Sequence, residues 1–309
     1  MNNTLYTTLG ILAVTALALT IAWIGYPHEV EYANGVSASV YCTRESPDVA
    51  ISAASGYAED LISRKVLYAK NEHVQLPLAS LTKVMTVLEV LRSTTPDELI
   101  EIKAEALLPE GDAGLKARQV WRAGDLINFT LLTSANDGAR ALSLAASQKR
   151  SLSPGQFVYN MNENARGLGM SQTFFLSDTG LDVSTTTAGA YGSARDVGIM
   201  IGEAVRKYPS LFEGSADETH TFTSLDGVVH TAVNTNSSVS ALEGLRISKT
   251  GFTDLAGGNL AVVFEPVPGR PVALVVLGST REEREKDIQA LAIATKEELK
   301  RGILCNNGF

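Results

Sequence analysis

"NLAVVFEPVPGRPVALVVLGST", Asn259–Thr280, is two apolar runs on either side of Pro268-Gly269. Valine-rich runs of this length interrupted by a turn dipeptide read as an antiparallel hairpin. A charged amphipathic pattern, Glu282 to Gly302, follows as a helix. Just upstream, Thr219–Ser224 and Val228–Val233 alternate across Asp226-Gly227, a second hairpin. The period of 2 returns only near the other end of the chain. There "VAISAASGYA" (Val49–Ala58) and "RKVLYAK" (Arg64–Lys70) read as a strand pair.

The stretch between these ends reads as helix. "QLPLASLTKVMTVLEVLR", Gln75–Arg92, begins with a proline and continues as an amphipathic helix. "DLINFTLLTSANDGARALSLAAS", Asp125–Ser147, has helical spacing interrupted at Ser134–Gly138. Ser153-Pro154 is a cap with proline at the first helical position, opening a helix to about Arg166. Ser193–Lys207 reads as another helix, with Asp196 placed for a capping box. Strands at both ends with helices between predict an α+β fold. An antiparallel β-sheet drawn from both chain termini is flanked by helices and joined to an all-helical region.

The 309 residues are 45% hydrophobic and 19% charged, with a net charge of −8. An acidic chain without a basic cluster argues against nucleic acid as a partner, because that affinity rests on neutralising phosphates. The four histidines, His28, His73, His220 and His230, fall in no metal-ligand spacing, so no metal is expected. Cys42 and Cys305 stand near the two ends of the soluble region, either as unrelated thiols or as a terminal disulfide.

Leu5–Tyr26 contains no charge and would span roughly 33 Å as a helix, against a hydrocarbon core of about 30 Å. Trp23 and Tyr26 at its end suit the membrane interface. No Lys or Arg precedes it, unlike a secretory signal, although Ser37-Ala38-Ser39 offers a cleavage site. Residues 1–27 are expected to be a membrane anchor or signal segment, 28–47 a tether, and 48–309 one catalytic domain.

Three short motifs carry the chemistry. Ser80-Leu81-Thr82-Lys83 places a hydroxyl and an amine on one helical face. A serine is a weak nucleophile that needs a base, and a lysine serves only when neutral, far below its usual pKa of about 10.4. The alternative for that motif alone is a surface serine and an exposed lysine. Ser134-Ala135-Asn136 offers a hydroxyl and an amide from a loop; alone it is equally helix punctuation. Lys249-Thr250-Gly251 offers a cation and a hydroxyl for a carboxylate, and a glycine for close approach; alone it is an ordinary strand end.

In that order the three motifs resemble those of the penicillin-recognising serine enzymes. Specifically, the chain resembles the low-molecular-mass penicillin-binding proteins of the D-alanyl-D-alanine carboxypeptidase family. The likeness runs from about Asp48 to Leu304 and includes "TSANDGARALS", "FVYNMNENARGLGMSQTFFLSDTGLD" and "SKTGFTDLAGGNLAVV". It implies a β-lactamase/transpeptidase-like fold, peptidoglycan stem peptides as substrate, β-lactam antibiotics as acylating ligands and no cofactor. Ser80 would be the nucleophile, Lys83 the general base, Ser134 a proton relay and Asn136 an orienting amide. Lys249, Thr250 and Gly251 would receive the terminal carboxylate, and Lys249 would help keep Lys83 neutral. The backbone N–H groups of Ser80 and Phe252 would form the oxyanion hole.

Two departures stand out. Phe252 replaces a common histidine or tyrosine, and Ser248 stands where many relatives have leucine, which bears on substrate preference. A further β-rich domain found in many relatives is not expected after the catalytic one. The alternatives of the same fold are a D,D-endopeptidase of crosslinks and a β-lactamase. The Glu-x-x-Leu-Asn pattern of class A β-lactamases is missing between Ser134 and Lys249, since Glu163 is followed by Asn164-Ala165-Arg166-Gly167. A catalytically silent, membrane-tethered penicillin sensor is the alternative of another class. The expected location is the cytoplasmic membrane, single-pass, with the catalytic domain outside, or secretion after signal cleavage.

Overall fold

Residues 49–111 and 113–306 are described by a computed structural model, without the side chains of Pro154 and residues 302–306. The expected membrane segment, the tether and the Cys42–Cys305 pairing lie outside the described residues. Among the described residues, no helix is long and apolar enough to cross a membrane.

The sheet has five strands: β1 (Ser55–Asp60), β2 (Val66–Lys70), β3 (Leu245–Thr253), β4 (Gly257–Val267) and β5 (Arg270–Ser279). Their order is β3-β4-β5-β1-β2, all antiparallel. Strand β1 lies beside β5, from Ser55 opposite Leu277 to Asp60 opposite Val272. Both chain ends therefore build one sheet, as expected, while the Thr219–Thr223 and Val229–Val233 strands pair only with each other in a separate two-stranded sheet. The β4–β5 turn falls at Pro268-Gly269, where Gly269 has φ +75°, a value that favours glycine. The first strand is shorter than Val49–Ala58 predicts and begins at Ser55.

Strands β4 and β5 are buried on both faces, which explains their continuous apolar runs. Ala261, Val263, Ala273 and Val275 face a core shared with Val197 and Ile201 of α5 (Ala194–Lys207). Leu260, Val262, Leu274 and Val276 face the other way, against Ile288 and Leu291 of α6 (Glu283–Asn306). Burying each of these Val, Leu and Ile side chains contributes about 1.5–3 kcal/mol.

The helical region contains α1 (Thr82–Val90), α2 (Ala123–Thr133), α3 (Asn136–Lys149) and α4 (Pro154–Gly167). The break between α2 and α3 falls at Ser134, as its Ser-Ala-Asn-Asp-Gly run predicts; Ser134 has φ +62°. Ser153 and Gln156 cap α4 reciprocally in a full capping box.

Two expectations are corrected. The helix at Gln75–Arg92 is not amphipathic: all nine residues of α1 are buried, and it begins only at Thr82. Ala79 has φ +49°, which no α-helix accommodates, so Ser80 sits in a 3-10 turn, Ala79–Leu81. At α5, the Ser193 hydroxyl caps Asp196 N–H, but the Asp196 carboxylate turns away to Gln172 N–H and the Thr173 hydroxyl. Only half of the expected box forms, because that carboxylate ties the preceding loop to α5.

Candidate active site

The 3-10 turn carrying Ser80 is pressed from two sides. A Cβ on Gly180 would lie 2.0 Å from the Ala79 carbonyl oxygen. A Cβ on Gly251 would lie 2.8 Å from the Leu78 carbonyl oxygen and 3.3 Å from Ser80 N. Any other residue at either place would push the turn away. The Lys-Thr-Gly glycine of β3 thus lets that strand approach the turn of Ser-x-x-Lys.

Lys83 is fully buried behind Ser80. Its Nζ lies 2.8 Å from Ser80 Oγ, 2.6 Å from Asn136 Oδ1 and 2.8 Å from the Thr179 carbonyl oxygen. The last two are acceptors only. A neutral amine has two N–H bonds and one lone pair. Donating both hydrogens to Asn136 and Thr179 leaves the lone pair for the Ser80 hydroxyl. Burial pushes the Lys83 pKa down to about 7, while the Asp178 and Asp137 carboxylates oppose the fall. A large neutral fraction therefore exists at neutral pH.

Asn136 opens α3, and its Nδ2 donates to the Glu110 carbonyl at 2.7 Å. The next residue, Asp137, accepts from Ala113 N–H at 3.0 Å. The start of α3 therefore holds both the base and the loop after Glu110. Ser134, two residues before Asn136, is half-buried, and its hydroxyl makes no hydrogen bond to a described residue.

Lys249 is 1% exposed, and its Nζ donates to the Thr250 carbonyl at 2.9 Å. Its pKa lies well below the ordinary lysine range, first through burial and then through repulsion from Lys83 and Arg284. The repulsion between the two lysines lowers the pKa of Lys249, whereas burial is what lowers that of Lys83. The Thr250 hydroxyl lies 2.6 Å from that of Thr235. Phe252 is 38% exposed at the end of the motif, with the Arg281 guanidinium 3.9 Å over its ring. The Ser248 hydroxyl accepts from Asn236 Nδ2 at 2.9 Å, so the residue standing for leucine is satisfied inside the protein.

The structure therefore brings Ser80, Lys83, Asn136 and Gly251 into one constellation, with Thr250 and Lys249 on the same strand as Gly251. Sequence reasoning did not single out Thr179, Asp178, Thr235 or Arg284. Arg284 is buried; its Nη1 donates to the Gly251 carbonyl at 3.2 Å and its Nη2 to the Thr235 carbonyl at 3.3 Å. In the run Arg281-Glu282-Glu283-Arg284 it reads as part of a solvated helix start, which hides it. A surface cavity of about 500 Å³ beside Glu98, Lys103 and Lys149 contains none of the motif residues.

The family model described as D-alanyl-D-alanine carboxypeptidase (Peptidase_S11) matches residues 41–281. The D-alanyl-D-alanine carboxypeptidase DacF of Bacillus subtilis is 28% identical over 252 residues, 79% of this chain and 62% of the relative. The chain thus spans less than two thirds of that relative's length. A D-alanyl-D-alanine endopeptidase of Pseudomonas aeruginosa is 31% identical over 234 residues, 74% of this chain and 71% of the relative. Penicillin-binding protein D2 of Listeria monocytogenes, solved in an ampicillin-bound form, superposes with a TM-score of 0.68 at 28% identity. That match covers 81% of this chain and 99% of the other. With a family model covering most of its length and the three motifs gathered around Ser80, the chain belongs to the D-alanyl-D-alanine carboxypeptidase family, Peptidase_S11.

Proposed function

We propose that this chain is a serine-type D-alanyl-D-alanine carboxypeptidase that removes the terminal D-alanine from peptidoglycan pentapeptide. The observation that carries this reading is Lys83 Nζ at 2.8 Å from Ser80 Oγ, with its two other contacts acceptors only. Ser80 Oγ attacks the carbonyl carbon of the penultimate D-alanine, and Lys83 takes the hydroxyl proton. General-base help of this kind contributes about 10²–10⁴-fold. The Ser80 and Phe252 N–H groups receive the developing oxyanion, where one donor contributes about 10²–10³ in rate. Ser134 relays a proton to the departing D-alanine nitrogen as the peptide bond breaks. Lys249 and Thr250 hold the terminal carboxylate, and Asn136 orients the substrate and Lys83. Water then hydrolyses the Ser80 ester, and Lys83 takes a proton from that water. A penicillin acylates the same hydroxyl.

D-alanine release from a pentapeptide, with and without Ser80→Ala, tests the reading. Release that survives Ser80→Ala overturns it. An endopeptidase reading is favoured by the Pseudomonas relative and by a 29% identical Escherichia coli relative of the same name. Crosslinked dimer offered beside pentapeptide decides between them. The uncharged segment 5–26 supports a membrane tether with the catalytic domain outside. Cell fractionation with N-terminal sequencing distinguishes a tether from cleavage and secretion.

A further inference from the structure

A buried carboxylate beside Lys83 has no part in the proposed chemistry. Asp178 is 4% exposed, and its Oδ2 accepts from Arg140 Nη1 at 2.9 Å and from the Ser143 hydroxyl. Both donors belong to α3, the helix that opens with Asn136. The Asp178 backbone carbonyl accepts from the Thr86 hydroxyl at 2.7 Å, one turn beyond Lys83 on α1. The very next carbonyl, that of Thr179, is the one bonded to Lys83 Nζ. Asp178 therefore joins α1 to α3 at the residue preceding a ligand of the base.

We propose that Asp178 and Arg140 are a positioning pair for Lys83: the carboxylate fixes the Thr179 carbonyl against the amine, and Arg140 offsets the carboxylate's field there. The inference rests on the reading of Lys83 as the base. The charged groups around that amine are few. Asp137 on α3 is bound by backbone N–H groups of Ala113 and Gly138. Lys249 of β3 is the cation that Lys83 repels, and Arg284 of α6 repels Lys249 as well. Asp178 is the largest of the carboxylate influences that favour the ammonium form against burial. It is also the one with a guanidinium partner, and the Arg140 side chain is one third exposed. The strength of its field at Lys83 is thus set by a residue that touches neither Ser80 nor Lys83 in any described hydrogen bond. A buried carboxylate stripped of its cation exerts its full field on the next cation.

The test uses two variants with opposite expected signs. In lysine-labelled protein, the Lys83 amine is titrated by NMR, its resonance assigned by loss in Lys83→Ala. Acylation by a fluorescent penicillin is followed over the same pH range. Asp178→Asn removes an attraction for the ammonium, so the midpoint moves to lower pH. Arg140→Met leaves the carboxylate uncompensated, so the midpoint moves to higher pH, and Arg140→Lys restores it. The pH dependence of acylation moves with each midpoint, and each half unit changes the neutral fraction below it by roughly threefold. A merely structural pair would slow both variants without opposed midpoints. Midpoints unchanged from the wild type, or moving the same way in both variants, overturn the inference. If Asp178→Asn does not fold, Arg140→Met against Arg140→Lys still decides, because that position is partly exposed. The functional reading fails separately: wild-type protein that penicillin does not acylate overturns it, while opposed NMR midpoints would still support the pair.

Discussion

Lys83 Nζ lies 2.6 Å from Asn136 Oδ1, so the amide that opens α3 holds the amine of the Ser-x-x-Lys turn. A folded-state pKa of about 7 means that the wild-type base is neutral above that pH and protonated below it. Acylation of Ser80 by penicillin should therefore rise with pH through about 7. Asn136→Asp places a carboxylate at the same contact, which favours the ammonium and moves that rise to higher pH. Acylation at pH 7 should fall by about fivefold for the first unit of movement and about tenfold for each further unit. Stopped-flow acylation of both proteins checks this, and an unmoved profile in Asn136→Asp sinks it.

Gly251 packs on the Ser80 turn, where a Cβ would meet the Leu78 carbonyl at 2.8 Å. That contact is with backbone, which cannot swing aside. Gly251→Ala should displace the turn or the end of β3 and reduce acylation by about 10²-fold, the scale of an ångström-size misplacement. Far-UV circular dichroism should stay near wild type, because the clash is confined to the cleft. Full acylation by Gly251→Ala would show that the close approach is dispensable.

A buried lysine makes the site a stability liability. The unfolded chain binds the Lys83 proton up to about pH 10.4, whereas the folded protein releases it from about 7 upward. Below about 7 the destabilisation is complete, and it fades as pH rises towards the unfolded value. At pH 7 it is on the order of 4 kcal/mol. Lys83→Met should abolish acylation yet raise Tm at pH 7. The climb of Tm between pH 7 and 9 should become shallower without vanishing, because Lys249 has a shift of the same sign. Thermal unfolding at a series of pH values reads both effects, and a lower Tm for Lys83→Met at pH 7 contradicts them.

Much of the fold was legible because its cues are local. Pro268-Gly269 and Asp226-Gly227 mark their own hairpins, and Ser134-Ala135-Asn136 marks the break between α2 and α3. The strand-like runs at the two ends, the valine-rich one beside Pro268-Gly269 included, identify the strands that pair as β1 and β5. The site was legible as residue types, but its geometry comes from long-range contacts. Nothing local in Pro77-Leu78-Ala79 announces a left-handed alanine before Ser80. Lys83 becomes a base through Asn136 and Thr179, which stand 53 and 96 residues away. Asp178 reads as one acid in a polar loop until α3 brings Arg140 to it. Arg284 is hidden in the same way, since only the fold carries its helix start to Gly251 and Thr235.

The Thr235–Thr250 hydroxyl pair, 2.6 Å apart, yields the last expectation. Thr250 is the proposed hydroxyl ligand of the substrate carboxylate, and Thr235 is the protein group that holds it. Thr235→Val keeps the shape of the side chain and removes its hydroxyl. Thr250 then loses one partner, which costs about 0.5–1.5 kcal/mol for a neutral hydrogen bond. Because Thr235 bonds the proposed carboxylate ligand and has no described hydrogen bond to Ser80 or Lys83, the loss should appear in binding. The apparent Kd for penicillin before acylation should rise about threefold to tenfold, while the limiting acylation rate and its dependence on pH stay near wild type. A variant that instead loses limiting rate and keeps its Kd would place Thr235 with the proton-transfer groups, and the carboxylate-holding role of the pair would have to be given up.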